Sequence, residues 1–147
     1  MIHLPRDFKE FLQLLNSKKI EYLVIGGYAV AFHGHPRATG DIDIWISISE
    51  DNAHKVVEAL KEFGFDTPEL QDTLFLEKNK NIRMGNPPLR IEILTSIDGV
   101  EFSECYKNKK TASIDTVEIN FISLPDLKKN KKASGRLQDL ADIENLE

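Results

Sequence analysis

Three acidic residues carry the pattern with the most chemical content. Asp41 and Asp43 alternate with Ile42, Ile44 and Ile46 in the run DIDIWI. Strict alternation marks a strand with one buried face, so both carboxylates leave the other face, about 6–7 Å apart. Two like charges held that way repel, and solvent or a divalent cation must neutralise them. Glu92 stands in LRIEIL, alternating with Ile91 and Ile93 beside Arg90. If the two strands are neighbours, Glu92 completes a triad able to hold two magnesium ions across an in-line phosphoryl displacement. The plainer alternatives are a wet strand face for the aspartates and a surface pairing with Arg90 for Glu92.

Gly26 and Gly27 shift the balance toward chemistry. They end the apolar run EYLVI and precede a short helical stretch. Glycine lets a ligand approach the backbone closely, and a helix start leaves N–H groups free for an anion. A phosphate bound there would lie near a cation held by Asp41 and Asp43. A tight turn that needs glycine for packing is the alternative. Arg37 and Thr39 fall on an expected loop before the acids, where Arg37 could reach phosphate and Thr39 could tie down the loop. Pairing of Arg37 with a neighbouring acid is an equal alternative.

The run Lys128-Lys129-Asn130-Lys131-Lys132 reads mostly as a solvated helix end, with Lys132 and Arg136 retained as phosphate contacts. Asp139 and Asp142 share one side of the last helix, placed to hold Arg136 or Arg37. His33 and His35 are read as loop histidines, because zinc would need further partners. Trp45 shares the strand face of the aspartates. Packing against a helix at the far end of that face is favoured over stacking on a base. Cys105 reads as a small buried residue.

These residues need a scaffold. Phe8, Phe11, Leu12 and Leu15 form one stripe of a helix over 7–16. Strands are expected over 21–25, 41–46, 74–77 and 89–94, with Asn79, Asn81, Gly85 and Pro87-Pro88 in the turns. A short helix is expected over 28–33, an amphipathic helix over 51–63 stopped by Gly64, and a helical turn over 100–106. A hairpin is expected from 110–114 and 117–121. Ser123 has the look of an N-cap for a helix over 125–132, and a last helix follows over 136–146. Strands and helices mixed without steady alternation predict an α+β fold.

Composition agrees with such a scaffold. The chain has 147 residues, 41% hydrophobic and 29% charged, with a formal net charge of −5. That suits one domain over 1–147 with a core of its own. The acidic balance argues against duplex binding by bulk charge. One cysteine excludes an internal disulfide and a multi-cysteine zinc site. No apolar run reaches the length of a membrane span, and the N-terminal residues lack the pattern of a secretory signal. A cytoplasmic protein is the expectation, with no large second domain after the core.

Taken together, Ile25-Gly26-Gly27, Asp41-Ile42-Asp43-Ile44 and Ile91-Glu92-Ile93 resemble the motifs of the nucleotidyltransferase superfamily, the polymerase-β-like fold. Arg37-Ala38-Thr39-Gly40, and the tail from Lys132 through Arg136 to Asp139 and Asp142, are similar to the small bacterial branch related to abortive-infection and toxin–antitoxin nucleotidyltransferases. The resemblance implies a mixed β-sheet flanked by helices. It implies Mg2+ or Mn2+ on Asp41, Asp43 and Glu92, and a nucleoside triphosphate lined by Gly26 and Gly27. Glu92 would align or deprotonate an acceptor hydroxyl on RNA, protein or a small molecule. The chain departs from the pattern in lacking a serine at the second glycine position and in the long gap before Asp41. The rival functions are a nucleotide- or partner-binding member of a toxin–antitoxin pair with little catalysis, and a metal nuclease.

Overall fold

The computed structural model describes residues 3–35, 40–85 and 89–146. Arg37 and Thr39 lie outside them. Six strands form one mixed sheet: β1 (Tyr22–Ile25), β2 (Asp41–Ile46), β3 (Asn81–Met84), β4 (Arg90–Leu94), β5 (Lys110–Ile114) and β6 (Val117–Phe121). Their spatial order is β3-β4-β2-β1-β6-β5. β2 runs parallel to β4 and antiparallel to β1, which runs parallel to β6; the outer pairs β3–β4 and β5–β6 are antiparallel.

Register sorts the side chains onto two faces, because directly opposed residues share a face. Val24, Ile44 and Ile93 form one row and Tyr22 joins Ile46 beside it. All are buried, and this is the apolar face. The other face carries the rows Ile25–Asp43–Glu92–Arg83 and Leu23–Trp45–Leu94–Asn81, with Asp41 opposite Arg90. The alternation in DIDIWI therefore places the isoleucines in the core and both aspartates on the face where Glu92 also stands.

Helices cover both sides. α1 (Arg6–Ser17) buries Phe8, Phe11, Leu12 and Leu15. Phe11 meets Phe63 of α3 (Glu50–Phe63) edge-on, and Phe8 meets Tyr28 of α2 (Gly26–Phe32). α3 starts at Ser49, whose side chain accepts the Asn52 N–H, and stops at Gly64 in the left-handed region. The buried Asn52 side chain accepts from Glu21 N at 2.8 Å and donates to Ser47 O at 2.9 Å. It thereby ties the start of β1 to the end of β2. On the acid-bearing face, α4 (Phe102–Lys107) covers Trp45, and α5 (Leu124–Ser134) with α6 (Leu137–Leu146) flanks the carboxylates. The Ser123 cap is present, accepting from Asp126 N.

Two expectations are corrected. Residues 74–77 do not form a strand; a 3-10 turn spans Asp72–Phe75, turning Phe75 fully into the core. The strand instead begins at Asn81, which the sequence suggested was a turn. This edge strand presents Asn81 and Arg83 to the polar side, so its buried half carries only two apolar residues and the alternation is too short to stand out.

Candidate active site

Asp43 is the centre of the site. It is directly opposite Ile25 on β1 and Glu92 on β4. Gly26, the next residue after Ile25, has φ +66, and a Cβ there would overlap the Asp43 carboxylate. Glycine is required at this point both by the backbone and by the carboxylate packed against it. Gly27 follows, buried in the first turn of α2. Gly26→Ala is expected to push Asp43 aside and lower any catalysis that depends on that carboxylate about 100-fold, since a 1 Å misplacement costs on that order. Turnover measured beside a thermal melt separates this from unfolding.

The electrostatics of the three acids differ. Asp43 is pushed up to about 7, first by burial, then by the Glu92 charge and a hydrogen bond shared with Glu92, then by Asp41; Lys131 pulls the other way. The Asp43–Glu92 pair thus holds a proton more readily than an isolated carboxylate. Asp41 accepts two hydrogen bonds from the Arg90 guanidinium, both 3.2 Å. Arg83 Nε stands 3.5 Å from Glu92. Each arginine is the cross-strand partner of the acid it faces.

Behind the acids lies a buried ionic cluster. Lys131 Nζ is 3.1 Å from Asp139 and 2.9 Å from Asp142, with side-chain exposures of 5, 4 and 0%. Burial alone would raise Asp139, but hydrogen bonds from Arg136, Ser134 and Lys131 outweigh it and hold its carboxyl at about 2. Arg136 Nε donates to Asp139 at 2.8 Å, while most of its side chain is exposed. Its own pKa is raised by that hydrogen bond and, less strongly, by the Asp139 and Asp43 charges.

Ile25, Gly26, Asp43, Glu92, Lys131 and Arg136 line one open cleft of about 380 Å³, which also reaches Arg83 and Asp139. Of the residues singled out in the sequence, Gly26, Asp43, Glu92, Arg136 and Asp139 meet there. Asp41 is one step along the same strand face, and Gly27 is one step into the helix. Lys132 is exposed and does not line this cleft, whereas its neighbour Lys131 does. Sequence reasoning missed Lys131 and Arg83. The signal for Lys131 was its spacing of four from the buried Leu127, which places both on the inward side of α5.

The remaining candidates have structural partners. His33 Nε2 is 2.7 Å from Ile122 O. Trp45 packs edge-on against Phe102 of α4, ring centroids 5.1 Å apart, as the packing alternative expected. Cys105 is buried, and burial pushes its thiol up to about 12.

A divalent cation suits this donor set in chemistry, though not as a ready-made cage. Among the described residues no group of three or more His, Cys, Asp or Glu is arranged to hold a metal ion. Asp41 is engaged by Arg90, and Asp43 leans on Glu92. The adjacent carboxylates of Asp43 and Glu92 are hard oxygen donors whose repulsion is relieved by a proton or by a dication. Asp41 could join them by leaving Arg90.

The sheet thus carries paired acids on one strand, a third on its parallel neighbour and a glycine turn alongside. The chain matches, over residues 3–147, the family described as nucleotidyltransferase of unknown function (DUF6036), and it belongs to that family. Solved structures agree in fold. TM1012 of Thermotoga maritima is similar with a TM-score of 0.61 at 20% identity, covering 98% of this chain and 93% of its own. The lincosamide antibiotic adenylyltransferase LnuA, solved with lincomycin bound, gives 0.62 at 16% identity, covering 97% and 96%. An antigenic nucleotidyltransferase-like protein of Paracoccidioides brasiliensis gives 0.56 at 17%, covering 94% and 72%. No curated protein matches the chain. No helix among the described residues is long and apolar enough to cross a membrane.

Proposed function

We propose that residues 1–147 act as one nucleotidyltransferase unit that moves a nucleoside monophosphate from an NTP to an acceptor hydroxyl, with Mg2+ or Mn2+. The observation that carries this reading is the register: Asp43 and Glu92 are direct neighbours on one sheet face, with Gly26 against Asp43. Asp41, Asp43 and Glu92 would hold the cations. When bound, these would offset the charge of the triphosphate and of the leaving pyrophosphate. Gly26 and Gly27 let the triphosphate approach the backbone. Arg136, exposed in the cleft, supplies a guanidinium to phosphate oxygens. Arg37 and Thr39 are assigned the same task from the sequence. Glu92 orients the acceptor hydroxyl and takes its proton as the acceptor oxygen bonds to the α-phosphorus. The bond from that phosphorus to the β-phosphate oxygen breaks, and pyrophosphate leaves. We place the reaction in the cytoplasm, where NTP and magnesium are at hand.

Calorimetry with a non-hydrolysable ATP analogue and magnesium tests the reading. Asp41→Ala is expected to remove the magnesium-dependent heat and to abolish transfer of label from α-labelled NTP. Unchanged binding and turnover in a folded Asp41→Ala protein would overturn it.

One observation favours a second reading, a toxin–antitoxin member that binds a partner. Leu137 and Leu140 of α6 are 87% and 46% exposed and one turn apart. Copurification of a partner with the wild type and its loss in Leu137→Asp, with no turnover of any NTP, would favour that reading.

A further inference from the structure

We infer that a second cavity on the acid-bearing face is the acceptor site, shaped for a small hydroxylated molecule with an apolar ring body. The inference rests on the transferase reading above. The cavity measures about 610 Å³ and is walled by Trp45, Ile97, Val100, Phe102 and Tyr106, among others. That volume is in the range of small-molecule sites, which are mostly apolar with a few polar groups.

Its position suits an acceptor. Trp45 is two residues beyond Asp43 on β2, so the two side chains leave the same face about 6–7 Å apart. Ser96 and Ile97 line both this cavity and the carboxylate cleft. The antiparallel register puts Ile25 opposite Asp43, so Gly26 and Gly27 lie toward the Asp41 end. The cavity lies toward the opposite end, past Trp45 to Ser47 and Ile48. An in-line displacement needs the nucleophile and the leaving group on opposite sides of the α-phosphorus. With pyrophosphate departing over the glycines, the acceptor oxygen enters from the cavity side.

Its walls suit a small molecule rather than RNA. Phe102 meets Trp45 edge-on and stacks with Tyr106 at 5.3 Å between centroids, forming an aromatic wall. The Trp45 indole N–H is buried with no acceptor among the described residues. The charged residues lining the cavity are Glu21, Glu101, Lys78 and Lys107, two of each sign. A phosphate backbone would be followed by a basic track. A balanced rim around aromatic walls favours an uncharged or zwitterionic ring.

The reaction is the one already described. The acceptor hydroxyl loses its proton to Glu92, its oxygen bonds to the α-phosphorus, and pyrophosphate carries away the electron pair of the broken bond.

Trp45 is the only tryptophan in the chain, so emission excited at the red edge, where tyrosine does not absorb, reports on this cavity wall. Lincomycin at alkaline pH, where its amine is neutral, and zwitterionic L-tyrosine serve as hydroxylated ring probes, with MgATP and a ten-nucleotide RNA as competitors for the assignment. At least one ring probe is expected to shift the emission saturably in the wild type and in Asp41→Ala. Ser103→Phe or Ile48→Arg, both at exposed positions lining the cavity, should weaken that binding at least tenfold and stop label transfer to the probe. MgATP affinity should stay unchanged in both. No shift with either probe, a shift only with MgATP or RNA, or full probe binding and transfer in both variants would overturn the acceptor assignment while leaving the transferase reading intact. Probe binding without any transfer in the wild type would overturn the acceptor role, whereas absence of magnesium-dependent ATP binding in the wild type would overturn the transferase reading.

Discussion

Asp43→Asn is expected to lower transfer by about 10³-fold or more while making the unliganded protein more stable at pH 8. The loss follows from removing a charged oxygen donor at the point where Gly26, Glu92 and the strand face meet. The gain follows from the repulsion that the folded protein stores there. Asp43 is raised from 3.8 to about 7 by burial and by Glu92. Its folded form therefore keeps a proton that the unfolded chain has already released. Stability falls as pH rises from about 4 to about 7, and the full penalty is present above that. At 1.36 kcal/mol per unit the shift sets a ceiling of about 4 kcal/mol, of which a coupled pair would show about 2. Asparagine carries no such charge. The stability difference between Asp43→Asn and wild type should be near zero at pH 4 and reach its maximum above pH 7. Magnesium should raise the wild-type melting temperature at pH 8, where the proton no longer competes, and leave the variant unmoved. Denaturant melts at pH 4, 6 and 8, with and without magnesium, check every part of this. Equal stability of the two proteins at pH 8 would show that Asp43 is not strained by its neighbours.

Lys131→Met should destabilise the fold by about 3–5 kcal/mol, the usual cost of removing the cation from a buried ion pair. Asp139 and Asp142 would then face each other in a site with almost no water. The penalty belongs to their ionised forms, so it should shrink as pH falls and the two carboxyls take up protons. A compensating triple change, Lys131→Met with Asp139→Leu and Asp142→Leu, should recover most of the stability, because it removes the charges along with the cation. It should not recover transfer, since Arg136 then loses the Asp139 anchor that holds it in the cleft. The cluster is thus a positioning device: it fastens α6 to α5 and aims Arg136. Stability and turnover measured on the single and triple variants distinguish this role from a purely structural one, which would restore both together.

The legible and illegible parts of this molecule divide along physical lines. DIDIWI and LRIEIL could be read because period-2 alternation between isoleucine and acid leaves only one way for a half-buried strand to lie. That the two strands are neighbours is a condition the alternation alone leaves open, and the register meets it by placing Asp43 opposite Glu92. The α1 and α3 stripes were readable from their spacing, and Gly64 and Ser123 from their capping chemistry. β3 was hidden because a four-residue edge strand with Asn81 and Arg83 on its polar side has too little apolar signal. Residues 74–77 misled because Leu74, Phe75 and Leu76 look like a strand, yet Phe75 alone turns fully inward. Lys131 was lost in a run of four lysines, where composition suggested solvent. Only helix phase separates the buried Lys131 from the exposed Lys132. The engagement of Asp41 by Arg90 lies beyond sequence patterning, since it depends on which strands are neighbours.

The most direct test is a crystal soaked with manganese and a non-hydrolysable ATP analogue, with the metal located by anomalous scattering. Manganese should lie between Asp43 and Glu92, with Asp41 turned from Arg90 to join them and the triphosphate resting on Gly26 and Gly27. Manganese bound elsewhere, or a triphosphate seated away from the glycines while Asp41 stays on Arg90, would contradict the account.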